Sequence, residues 1–83
     1  MKTQNTYNGY KNYNTWNVAL WIANDYRLYN AAVMFMMDYR GKAPYKEFIK
    51  YIELEDNKTL DEVPFIDKSL SYRELNEFMR GLI

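Results

Sequence analysis

Asn14-Thr-Trp-Asn-Val-Ala-Leu-Trp-Ile-Ala-Asn24-Asp25 is the stretch on which the fold turns. It holds both tryptophans, Trp16 and Trp21, with Val18, Leu20 and Ile22 between them, and carries no charge before Asp25. A helix that is apolar nearly all round has to be enclosed. The reading is therefore a short central helix that amphipathic pieces from the rest of the chain cover, with Trp16 and Trp21 both largely buried. Truncating a buried Trp to Ala costs about 3–5 kcal/mol, so Trp21→Ala is expected to be severe.

Asn14 is the expected N-cap, and Tyr13 and Val18 then stand at the N′ and N4 positions of a hydrophobic staple. Asn24-Asp25 interrupts the apolar run, with Asn24 capping a second helix and Asp25 in its first turn. A sharp bend is the preferred reading, and one continuous helix over 14–40 is the alternative. Leu28, Ala32, Phe35 and Tyr39 share one face of the second helix, and Tyr29, Val33, Met36 and Met37 widen it. Gly41 is placed as its C′ residue. Pro44 suits N1 of a third helix, along which Tyr45, Phe48, Ile49 and Ile52 recur at helical spacing. In the fourth, Ser71-Tyr-Arg-Glu74 is a capping box, with Leu70 and Leu75 as the staple. Leu75, Phe78, Met79 and Leu82 form its apolar stripe.

The expected fold is all-α: a small bundle of about four helices near 14–24, 25–40, 44–54 and 71–82, with an irregular loop over 55–70. In that loop Val63, Phe65 and Ile66 are expected to pin the chain to the core. The whole of 1–83 is read as a single helical domain. Residues 1–12 form a polar, partly ordered N-terminal arm, fraying over 1–6, with a turn at Tyr7-Asn-Gly-Tyr10 because Asn-Gly tolerates positive φ.

Eighty-three residues make a marginal core. With no Cys and no His, neither a disulfide nor zinc ligation of the usual kinds can staple it. Packing must serve instead, from a chain that is 48% hydrophobic with nine Tyr, four Phe and two Trp. Eleven basic residues balance eleven acidic ones, so a general electrostatic footprint for nucleic acid is missing. The charge is uneven: Lys42, Lys46 and Lys50 outnumber Glu47 in 41–52, and six acids face Lys58 alone in 53–67. No apolar run reaches the length of a membrane span. The start of the chain has no secretory pattern. A cytoplasmic setting, that of a bacterial host cell, is the expectation.

The segment Asn12-Tyr-Asn-Thr15-Trp16-Asn-Val18-Ala-Leu20-Trp21-Ile22-Ala-Asn24-Asp25-Tyr-Arg-Leu28-Tyr29 resembles a group of small uncharacterised proteins from bacteriophages and cyanobacteria. The pattern is Asn-x-x-Thr-Trp-x-Val-x-Leu-Trp-Ile-x-Asn-Asp. The tail Asp61-Glu-Val-Pro-Phe65-Ile-Asp67, followed by Leu70 and Glu74-Leu75, is similar to the same group. The chain departs from it at Glu62, where relatives often carry Gly, and at Phe65, where they carry Trp. The resemblance implies a phage or bacterial origin and no activity.

Candidate sites are few. The tryptophans are read as core rather than as a base-stacking platform. Asn24-Asp25 is explained by capping. The acids of 53–67 lack the spacing of a calcium loop. No nucleophile–base pair, phosphate loop or cofactor motif is present, so the chain is not expected to be an enzyme; a carboxylate-only site on Asp25 or the acidic loop is the one remaining catalytic reading. The Met34-Phe-Met-Met37 run resembles adaptable binding surfaces. The candidate interaction surface is accordingly Tyr29, Met34, Met36 and Met37, with a protein partner or self-association expected. The alternative is a nucleic-acid module contacting through Lys11, Lys42, Lys46 and Lys50. A reading helix usually offers Arg, Asn or Gln to base edges, and helix 3 offers Lys, Glu and Tyr.

Overall fold

The computed structural model describes residues 7–83. Expectations for residues 1–6 lie outside them. Four helices follow one another, α1 (Tyr13–Asn24), α2 (Tyr26–Asp38), α3 (Pro44–Tyr51) and α4 (Tyr72–Arg80). Among the described residues there is no strand, only two isolated bridges, Tyr7 with Tyr10 and Lys58 with Pro64. α1 packs on α2 and α4, and α4 also packs on α2 and α3. The Cα radius of gyration is 12.5 Å, near the about 12 Å of a compact chain of this length. No helix among the described residues is long and apolar enough to cross a membrane.

The bend lies at one residue. Asp25 is extended at φ −87° and ψ 117°, and closes α1 by donating its backbone N–H to the Trp21 carbonyl. It opens α2 by accepting from the Arg27 and Leu28 backbone N–H groups, both at 3.0 Å. The cap is thus Asp25 and not Asn24. A carboxylate at the positive end of α2 gains from the helix dipole as well as from the two bonds. At the other end of α1 the cap is Asn12, whose side chain accepts from the Thr15 backbone N–H at 2.9 Å and from the Thr15 hydroxyl at 2.7 Å. The helix therefore starts earlier than the expected Asn14 cap, and Tyr13 lies within its first turn.

The core contains Val18, Ala19 and Ile22 of α1, Ala32 and Met36 of α2, and Tyr45, Phe48 and Ile49 of α3. Val63, Phe65 and Leu70 join it from the loop, and Leu75 and Met79 from α4. The apolar positions at helical spacing on α3 and α4 thus face inward, and Val63, Phe65 and Ile66 pin the loop, while Leu60 stays exposed. The tryptophans are the main correction. Both are half-buried, not buried. At 3.6 residues per turn they stand about 140° apart, on the two shoulders of the face that points away from Ile22. What α1 buries instead is a strip of small and branched residues, and two polar ones, Thr15 and Asn17.

α2 ends at Asp38, two residues short of the expected Arg40, and its C-cap Tyr39 is extended. Gly41 is not a left-handed cap; a Cβ there would run into the Tyr39 ring, whose hydroxyl accepts from the Ala43 backbone N–H at 3.1 Å. α3 lacks a side-chain cap of its own, and Asn76 of α4 accepts from the Tyr45 backbone N–H at 3.0 Å. It stops at Tyr51, not at 54, because Glu53 turns left-handed at φ +60°. The Leu54 N–H then reaches the Ile49 carbonyl and the Glu53 N–H the Lys50 carbonyl, which is a Schellman motif with Glu where Gly is usual.

Glu62, at φ +70°, is a second left-handed residue. This conformation costs an ordinary L-residue about 1–2 kcal/mol, and Gly regains about half of it after its larger unfolded-state entropy. Glu53→Gly and Glu62→Gly are each expected to stabilise the domain by about 0.5–1 kcal/mol. Urea denaturation would register this as a rise in midpoint. The exposed Lys58–Glu62 pair at 3.6 Å is too weak to reverse the sign at the second position.

Candidate functional site

Two polar clasps fasten α1 to the tail, and they draw on Asn12, Thr15 and Trp21 of the motif. In the first, Asn17 is fully enclosed. Its Nδ2 donates to Asp61 Oδ2 at 2.8 Å and to the Tyr13 hydroxyl at 3.2 Å, and its Oδ1 accepts from the Thr59 hydroxyl at 2.8 Å. Thr59 Oγ1 in turn accepts from the Asp61 and Val63 backbone N–H groups, holding the turn shut. Trp21 Nε1 donates to the same Asp61 oxygen at 3.0 Å. Trp21 is thereby half-covered by a loop and given a partner for its N–H. A recess of about 120 Å³ remains between Leu20, Trp21, Asn24 and Asp61.

The second clasp joins the start of α1 to the entry of α4. Asn12 Nδ2 donates to the Ser69 carbonyl at 2.7 Å, and Asn14 Nδ2 to the Ser69 hydroxyl at 3.0 Å. The Ser69 hydroxyl and backbone N–H both donate to Asp67 Oδ2. The Ser71 backbone N–H donates to the Thr15 hydroxyl. The expected capping box is consequently half formed: Ser71 Oγ accepts from the Glu74 N–H, while the Glu74 carboxylate takes the Lys11 backbone N–H at 2.7 Å. Leu70 and Leu75, the staple pair, are both buried.

Both carboxylates titrate below the usual range. For Asp61 the cause is the Asn17 carboxamide and then the Trp21 indole N–H; for Asp67 it is the Ser69 hydroxyl and backbone N–H. A carboxylate depressed in the folded state contributes stability that is present above its unfolded pKa of about 3.9 and is lost as pH falls through the lower folded value. Urea midpoints are therefore expected to drop below about pH 4, and Asp61→Asn should flatten part of that drop.

Tyr7 and Tyr10 exchange two backbone hydrogen bonds across Asn8 and Gly9, at φ +48° and +89°, so the expected turn forms. Its Tyr7 ring lies 4.8 Å from Trp16 and 5.3 Å from Tyr13, edge to face. The arm is packed on α1.

The outer side of α2 is left uncovered. Of the residues expected there, Met34 is 67% exposed, Met37 58% and Tyr29 40%. Met36 does not belong with them: at 4% exposure it is core, because it lies one helical step from Ala32 on the inward face. The sequence reading missed Tyr26, 80% exposed, and Tyr51 of α3, 71% exposed. Tyr26 was findable: with Met34 and Met37 it keeps the spacing i, i+8, i+11, a second stripe opposite the Leu28, Ala32, Tyr39 one. Beside it runs a groove of about 490 Å³ between α2 and α3, lined by Ala31, Met34, Phe35, Asp38, Tyr39 and Tyr51. Phe35 forms its floor, with its ring 5.0 Å from Tyr39, 5.5 Å from Tyr51 and 5.6 Å from Phe48.

The lysines do not make one surface by contact. Lys46 rests its ammonium 4.6 Å over the Tyr72 ring, Lys50 is exposed on α3, and the Lys42 carbonyl accepts from Arg80. Lys11 is exposed beside α4, through its backbone bond to Glu74. No group of three or more acidic side chains able to hold a metal ion is found among the described residues.

A family model described as a family of unknown function, DUF7249, matches residues 3–82. The chain belongs to that family. The match spans both clasps and all four helices of this DUF7249 protein. No curated protein and no solved structure matches it.

Proposed function

We propose that this DUF7249 protein is a small non-catalytic interaction protein that docks another protein surface through the outer face of α2 and the groove beside α3. The observation behind this is that α2 is apolar on two sides while only one is covered. Tyr26, Met34 and Met37 stand in water although the core face of the same helix is complete. Contiguous apolar surface of this kind, rimmed by polar residues, marks interaction sites. Methionine suits it, since its unbranched side chain repacks around a partner at small cost. The resemblance of the Trp16–Trp21 motif to phage and cyanobacterial proteins supports a phage or bacterial origin, and with it an accessory role in the host cytoplasm.

The test compares the parent with Met34→Gln/Met37→Gln. Both positions are exposed, so the fold should be kept. The parent is expected to self-associate or to retain a specific protein from bacterial lysate, and the variant to lose that association. A parent that stays monomeric and retains nothing, or a variant that behaves like the parent, would overturn the proposal.

A further inference from the structure

We infer that the occupant of this face is a second copy of the chain, laying its own α2 antiparallel across the first. The inference rests on the interaction reading above and adds the partner and its orientation. It is carried by two charges at the ends of the apolar stripe. Arg27 and Asp38 are both exposed, and neither takes part in an ion pair among the described residues. They are eleven residues apart, about three full turns, so they stand on the same edge of α2, the edge that borders the groove.

Two helices packed antiparallel bring like edges together. Turning the second copy end for end sets its Asp38 beside Arg27 and its Arg27 beside Asp38, with Tyr26 near Met37 of the second copy and the Met34 side chains meeting toward the centre. One two-fold axis satisfies both ion pairs with the same patch, as an isologous interface requires. A parallel two-fold arrangement would instead put the charged edges of the two copies on opposite sides of the seam, where neither ion pair can form. Neither a nucleic acid nor an anionic membrane would match an edge carrying one charge of each sign.

The two residues are also placed against the interest of the isolated helix. Arg27 lies in the first turn of α2 and Asp38 in the last. The helix dipole favours the reverse. Their placement is accounted for by a facing helix that runs the other way.

Sedimentation of the full chain from about 1 μM to about 1 mM covers the range in which a modest interface dissociates. The mass of the parent is expected to rise from 10.1 kDa toward twice that value. Arg27→Asp and Asp38→Arg should each weaken the dimer about tenfold, and the double exchange should restore it to within about threefold of the parent, by the logic of a double-mutant cycle. Both changes agree with the helix dipole, so the variants should fold at least as well as the parent. A chain monomeric throughout, a dimer indifferent to either single change, or a double exchange that restores nothing overturns the antiparallel dimer. If such a monomer nonetheless retains a lysate protein through Met34 and Met37, the interaction reading stands and this inference falls alone.

Discussion

Phe48→Ala is expected to leave the domain largely unfolded at room temperature. Phe48 is fully buried on α3, one turn beyond Tyr45, with its ring 5.6 Å from Phe35. Emptying such a site costs about 3–5 kcal/mol, made up of lost burial and the cavity left behind. Neighbours able to collapse into the gap are few: Tyr45 is held by its hydroxyl, which donates to the Phe65 carbonyl at 2.5 Å, and by its backbone N–H to Asn76. Whole domains have about 5–15 kcal/mol in hand, and one this short lies at the low end. Trp21→Ala, by contrast, removes a half-buried ring and one exposed hydrogen bond. Its cost should be about 1–3 kcal/mol, well below that of Phe48→Ala. Chemical denaturation of the two variants beside the parent checks the order. Equal losses would mean that Trp21 on α1 contributes as much to the core as Phe48 on α3.

Asn17→Asp is expected to be nearly as damaging although it changes one atom. The Asn17 Nδ2 that donates to Asp61 becomes an oxygen about where a 2.8 Å contact to a carboxylate now lies. The other oxygen can still accept from Thr59. Two carboxylates then face each other, one of them fully enclosed, with no base nearby to compensate. An uncompensated buried charge costs about 3–5 kcal/mol. The sign of the pH dependence separates this from simple loss of packing. Paired acids hold a proton more tightly when folded than when unfolded, so the penalty should shrink as pH falls toward about 4, where the pair can share one. The parent moves the other way in that range. A penalty that grew with acid would contradict the clasp.

Four helices, their order and their inward faces could be read from the spacing of Leu, Ile, Phe and Tyr, and the capped turn at Ser71 from four residues. Boundaries followed chemistry outside the local window. Asn12 caps α1 because its Nδ2 is also anchored on Ser69, fifty-seven residues away. α3 ends early because Glu53 adopts a conformation for which its side chain has no preference. The tryptophans were misplaced for a related reason. A helix with apolar residues nearly all round implies a complete apolar jacket, whereas the chain covers Trp21 with a carboxylate loop and Trp16 with two tyrosines. Nothing in the local sequence marks Asn17 as a tie point; its three partners lie at Tyr13, Thr59 and Asp61, and only the folded chain brings the last two to it. On α2 the methionine run pointed to an exposed surface, but the run itself straddles the inward and outward faces, so Met36 had to be parted from Met34 and Met37 by position.

Both clasps join residues 11–21 to residues 59–74, so neither can close until the later residues have been made. Synthesis proceeds from the N-terminus at about 5–20 residues per second. α1 therefore leaves the ribosome before the Asp61 turn, the Ser69 anchor and Glu74 have been made. For that interval, a few seconds at these rates, Trp21 lacks its Asp61 partner and the start of α1 lacks its Ser69 and Glu74 anchors. A nascent chain stalled before residue 59, or a fragment cut there, would display the aromatic helix with neither clasp closed. Such fragments should aggregate or be captured by chaperones, while a chain that carries residues 59–74 closes both clasps on α1.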